Sequence, residues 1–94
     1  NKMQNETYTN KTLDIMPLRE KWKAFKWNVI NINGHSFEEI DKAFKNFYSE
    51  LKKPTVIIAN TIKGKGISFM ENSPEWHSKV LDEVSYSKAK KELE

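Results

Sequence analysis

The sequence predicts an α/β chain in which parallel strands are flanked by helices, and three observations carry that prediction. Apolar residues recur at helical spacing in two separate segments. A β-branched run follows each of them, and the second run is continuous instead of alternating, as in strands of parallel sheets. The resulting order of helix, strand, helix, strand, loop and helix joins the strands by a crossover, which makes them parallel neighbours.

Residues 1–16 open the chain as a polar lead-in. "NKMQNETYTNKT" is rich in Asn and Thr and reads as loop with at most a short strand. From Pro17 the pattern becomes helical: Leu18, Trp22 and Phe25 are spaced four and three apart among charged residues, with Pro at an early helical position. This predicts a helix of about ten residues. Val29, Ile30 and Ile32 in "WNVINING" predict a strand that ends at the Asn33-Gly34 turn signal. Ser36 with Glu39 three residues on predicts a capping box, and Phe37, Ile40, Phe44, Phe47 and Leu51 keep one apolar face for about four turns. Val56, Ile57, Ile58 and Ala59 then form a strand expected to be covered on both faces. A weakly amphipathic helix from about Val80 to Glu94 closes the chain, and Trp22 and Trp27 are assigned to the core.

At 94 residues the chain is read as a single partial domain over 1–94, with little capacity to bury a core of its own. Two strands leave open edges that α/β proteins pair or cover, so further sheet is expected from elsewhere. The first residue is Asn1 and not Met, which leads to the expectation of a fragment or trimmed product. Sixteen Lys plus Arg against 13 Asp plus Glu give a net charge of +3, a modest excess spread along the chain and read as a solvated surface, not as a nucleic-acid footprint. No apolar run approaches the roughly 20 residues of a membrane span. With zero cysteines there is no disulfide framework or cysteine zinc site, and the default setting is cytoplasmic.

Candidate chemistry concentrates in "TIKGKGISFMENSPEWHSK", residues 61–79. It leaves the end of the second strand, where ligands of open parallel sheets bind. Gly64 and Gly66 let backbone approach an anion, and Lys63 and Lys65 supply charge, so a phosphate-bearing ligand is a hypothesis. The spacing matches neither a Walker A loop nor a Rossmann fingerprint. A flexible basic loop is the alternative reading. By residue chemistry alone His77 beside Trp76 reads as a surface or packed histidine before a functional one, His35 before the cap more so, and two histidines without cysteine make a poor metal site.

Taken together, "WNVINING-H" at 27–35, "PTVIIANTIKGKG" at 54–66 and "FMENSPEWHSK" at 69–79 resemble the transketolase family, nearest to its separately encoded amino-terminal subunits. The resemblance implies the latter part of a thiamine-diphosphate-binding domain. It matches Lys63 and the following Gly64 to the family position beside the cofactor, and His77 to the histidine that reaches the cofactor diphosphate and the sugar substrate. "NKMQ" looks like the end of the family's metal motif, which matches Asn1 to the side-chain Mg²⁺ ligand and Met3 to the backbone-carbonyl ligand.

The activity so implied is transfer of a two-carbon ketol unit between sugar phosphates in the pentose phosphate pathway, with thiamine diphosphate and Mg²⁺ as cofactors. The rest of the metal motif and the glutamate that activates the cofactor have no counterpart here, so the resemblance implies a chain not catalytic alone. It would work with a complementary transketolase domain or subunit in a homo- or hetero-oligomer, without nucleic acid or membrane. The alternatives are a non-catalytic scaffold fragment of the same fold, or another thiamine-diphosphate enzyme such as a deoxyxylulose-phosphate synthase. Two departures from the family pattern stand out: Lys26 where Gly is common before the tryptophan, and Ser78 where Gly usually follows the histidine.

Overall fold

The computed structural model describes residues 1–49 and 52–94; Leu51 of the predicted apolar stripe lies outside them. The chain falls into two compact units, residues 15–61 and residues 1–14 with 62–94, and each is described by itself.

The unit of residues 15–61 holds helix α2 (Leu18–Ala24), strand β3 (Asn28–Asn33), helix α3 (Phe37–Ser49) and strand β4 (Thr55–Asn60). The two strands pair in parallel, from Asn28 opposite Thr55 to Asn33 opposite Asn60, with α3 as the crossover. The α/β assignment is therefore correct. At the carboxyl ends Asn60 donates its side-chain amide to Ile32 O at 3.0 Å and to Asn31 Oδ1 at 2.8 Å. Gly34 donates its N–H to Asn60 O at 2.8 Å, and a Cβ on Gly34 would come within 2.6 Å of Thr61 Cγ2, so a side chain here would have to displace Thr61.

Several expectations are refined in this unit. Helix α2 has seven residues instead of about ten, with Pro17 as its N-cap. It ends in a Schellman motif: Trp27 N donates to Trp22 O at 3.2 Å and Lys26 N to Lys23 O at 2.8 Å. Lys26 takes the left-handed position of that motif at φ 64°, where glycine is the usual residue. The accompanying apolar contact is Trp22 on Trp27, with ring centroids 4.7 Å apart. Both tryptophans are half-buried instead of core.

The capping box of α3 forms by half. Ser36 Oγ accepts from Glu39 N at 3.2 Å, but the Glu39 carboxylate accepts from Asn33 N at 2.7 Å, because Ser36 N is already engaged by Asn33 O. Strand β4 is not covered on both faces: Val56, Ile57 and Ile58 are half-buried and Ala59 is exposed, and β3 is its pairing partner. Phe37 is 90% exposed, and among the described residues only Ile32, Ala43 and Ala89 are buried apolar side chains.

The other unit begins with a short antiparallel hairpin, β1 (Met3–Gln4) with β2 (Thr7–Tyr8), followed by the single turn α1 (Thr9–Thr12). The lead-in is thus more structured than its composition predicts. Asn5 at φ 52° makes the hairpin turn, and Thr9 N closes it onto Lys2 O at 2.9 Å. The unit continues as a long loop, a 3₁₀ helix (Pro74–His77) and helix α4 (Glu83–Leu93). Helix α4 starts three residues later than predicted because Asp82 caps it, in a reciprocal box with Ser85. No helix among the described residues is long and apolar enough to cross a membrane.

Candidate functional site

The five residues that the family resemblance matches to cofactor or metal, Asn1, Met3, Lys63, Gly64 and His77, lie in the unit formed by residues 1–14 and 62–94. The loop from Ile62 folds back on itself. Asn72 N donates to Lys63 O at 3.0 Å, which sets the two ends of the segment side by side. Gly64 sits at φ 71°, and a Cβ there would lie 2.5 Å from Met70 O, so this crossing excludes every other residue. The Lys63 side chain is half-buried and makes no ion pair among the described residues.

The second half of the Lys-Gly-Lys-Gly run is engaged differently. Glu71 Oε1 accepts from Gly66 N at 3.2 Å and pairs with Lys65 Nζ at 3.2 Å. The anion that Gly66 and Lys65 attract is therefore a carboxylate of the same loop. A second carboxylate, Glu92 on α4, accepts from both the backbone N–H and the hydroxyl of Ser68. Those two bonds hold the Glu92 carboxyl below its usual pKa, and they tie the loop to the helix.

His77 ends the 3₁₀ helix and is exposed. Its neighbour Trp76 anchors the turn: Nε1 donates to Phe69 O at 3.1 Å, and its ring packs on Phe69 with centroids 5.4 Å apart. Lys79 Nζ stands 4.6 Å from the Trp76 ring centroid. Ser78 follows at φ −125°, backbone that any residue adopts, so its replacement of glycine carries no strain. Instead its hydroxyl donates to Glu6 in the hairpin turn. Tyr8 OH donates to Asn72 O at 3.0 Å, so the hairpin carrying Met3 is bonded to both ends of the segment that leads to His77.

Asn1 Oδ1 accepts from Met3 N at 3.0 Å, which places the side-chain oxygen and the Met3 peptide next to each other. Among the described residues no three His, Cys, Asp or Glu side chains cluster as metal ligands. Two shallow concavities, of about 520 Å³ at Glu83, Val84, Ser87, Lys88 and Lys91 and about 210 Å³ at Leu18, Lys21, Trp22 and Phe25, hold none of the five residues.

Comparison with known proteins decides the family. The profile of the transketolase thiamine diphosphate binding domain matches residues 2–94. The chain belongs to the transketolase family. It is 43% identical over its full 94 residues to the 6-deoxy-6-sulfo-D-fructose transketolase subunit SqwG of Clostridium sp., covering 34% of that protein. It is 34% identical over 93 residues, 99% of this chain, to an apulose-4-phosphate transketolase subunit of Phocaeicola vulgatus, covering 33% of it. Human transketolase is 43% identical over 63 residues, 67% of this chain and 10% of that enzyme. The chain thus spans about a third of the subunits it matches from end to end. The sequence motifs place residues 61–79 as a loop that follows β4 in the chain. What they miss are Glu6, Tyr8, Glu71 and Glu92. Three of these bond across separations of 24 to 72 residues, for which a local motif has no signal.

Proposed function

We propose that this chain is part of a thiamine-diphosphate-dependent transketolase that moves a two-carbon ketol unit between sugar phosphates, and that it supplies one wall of the diphosphate and substrate site. The observation that supports this most is the match over residues 2–94, with the motif residues Lys63, Gly64 and His77 in one compact unit. Activity requires a complementary transketolase domain or subunit, as the subunit names of the relatives suggest. A cytoplasmic setting and a place in pentose phosphate metabolism belong to the same reading.

The donor set fits the cofactors. Lys63 carries a cation that no carboxylate of the described residues pairs with, and it is the residue that would meet the diphosphate. Gly64 lets the backbone beside it approach closely. The His77 imidazole can donate to a phosphate oxygen or to a developing oxyanion. Mg²⁺ prefers hard oxygen ligands, and the Asn1 amide oxygen and Met3 carbonyl are of that kind. Thiamine diphosphate, when bound, supplies the electron sink for the reaction. The chain's own task is to bind and orient it.

One observation favours the second reading, a non-catalytic scaffold fragment of the fold: Lys65 and Gly66 are already satisfied by Glu71. Titration calorimetry with thiamine diphosphate and Mg²⁺ separates the two, on the chain alone and then with its complementary subunit. Binding that weakens in K63A and H77A is expected. Absence of binding in both settings would overturn the enzyme reading. A competing sugar phosphate and a sulfo-sugar, added in parallel, identify the substrate class.

A further inference from the structure

The exposed His77 imidazole makes no hydrogen bond or ion pair among the described residues, so the backbone that carries it sets its place. On one side that backbone is fixed by Trp76, through its bond to Phe69 O at 3.1 Å. On the other side stands Ser78, whose N–H closes the 3₁₀ turn onto Glu75 O and whose hydroxyl donates to Glu6 Oε1. Glu6 belongs to the tight turn between β1 and β2, which Asn5 makes at φ 52° and which Thr9 closes onto Lys2 O. A second bond, from Tyr8 OH to Asn72 O at 3.0 Å, fastens the same hairpin to the start of the segment. The hairpin therefore grips residues 72–78 at both ends, and Glu6 adds a long-range side-chain bond to the local backbone bonds that Ser78 and Lys79 N–H make to Glu75 O.

We infer that Glu6 is a positioning residue that acts through Ser78 to fix the place of His77. The hydroxyl makes this possible: a glycine at 78 has no donor for the Glu6 carboxylate, so the device exists in this chain because serine stands there. Its meaning for cofactor binding rests on the proposed function, whereas the tether does not.

The test is backbone relaxation by NMR on the full chain, paired with a thiamine diphosphate titration followed by tryptophan fluorescence. In E6A and in S78A the order parameter of His77 falls from about 0.85 to below about 0.6, the flexible range. The E6A/S78A double variant falls no further than either single one, because both remove the same bond. E6Q keeps an oxygen acceptor and S78T keeps the hydroxyl, so both retain the wild-type value. Cofactor affinity drops about three- to tenfold in the alanine variants, the worth of one net hydrogen bond. Unchanged His77 order in E6A and S78A, or additive losses, overturns the inference; so does a lower unfolding midpoint with His77 order intact. Loss of order in E6A and S78A of a chain that binds no thiamine diphosphate as wild type upholds the tether and removes the proposed function instead.

Discussion

Replacing Lys26 with glycine should stabilise the chain, and the size of the gain follows from the backbone. Lys26 occupies the left-handed position of the Schellman motif that ends α2, at φ 64°. A side chain with a Cβ costs roughly 1–2 kcal/mol in that conformation. Glycine removes this cost but adds about 0.5–1 kcal/mol of unfolded-state entropy. It also forfeits a few tenths of a kcal/mol that a cation gains at a helix carboxyl terminus. The net expectation for K26G is about 0.5 kcal/mol of added stability, or roughly 2–4 °C in Tm for a chain of this size.

Trp22 and Trp27 report the event directly, because the motif packs their tilted rings with centroids 4.7 Å apart. Urea unfolding followed by tryptophan fluorescence should show the midpoint of K26G raised by about 0.2–0.5 M at unchanged slope. K26A is the control: alanine loses the charge but keeps the Cβ, so its midpoint should stay level or fall slightly. A midpoint for K26G no higher than wild type, or an equal rise in K26A, would refute the strain argument.

The remaining predictions test the loop and its supports. Both Gly64 and Gly66 hold a positive φ that strains alanine, but G64A also places a methyl group 2.5 Å from Met70 O, so the crossing must open; cofactor titration should show weakened binding in both variants, with the steric clash an added cost in G64A that G66A, with its nearest atom 3.6 Å away on Leu93, does not bear. D82A removes the cap of α4 and should reduce helical circular dichroism, with S85A giving part of the loss. Hydrogen bonds from Ser85 hold the Asp82 pKa below its usual value, so its contribution is complete above the unfolded-state pKa and is lost as pH falls through the folded one; an acid titration of wild type and D82A should converge at the low end. Glu92 is depressed likewise by Ser68, and E92Q should flatten the acid limb of stability while raising amide exchange at Ser68.

What was legible in the sequence was legible because its physics is local. The crossover order of strands and α3 and the Gly34 turn follow from residue spacing and from backbone chemistry within a few positions, whereas Lys26 is marked only by the family resemblance. Helix α2 came out shorter and α4 began later because Lys26 and Asp82 fix the ends, and capping outranks a periodic pattern that runs past it. The candidate loop divides along the same line. In sequence Lys63 and Lys65 are equivalent, each followed by a glycine at positive φ. Their difference lies in Glu71, which closes on Lys65 and the Gly66 N–H and leaves Lys63 outside the pair. A carboxylate that already neutralises one lysine of the run lowers its attraction for a diphosphate and sharpens the contrast with the other. Charge counting assigns both lysines to the ligand, whereas loop closure assigns one to the loop itself; K65A should therefore disturb the Gly66 amide environment and K63A should not.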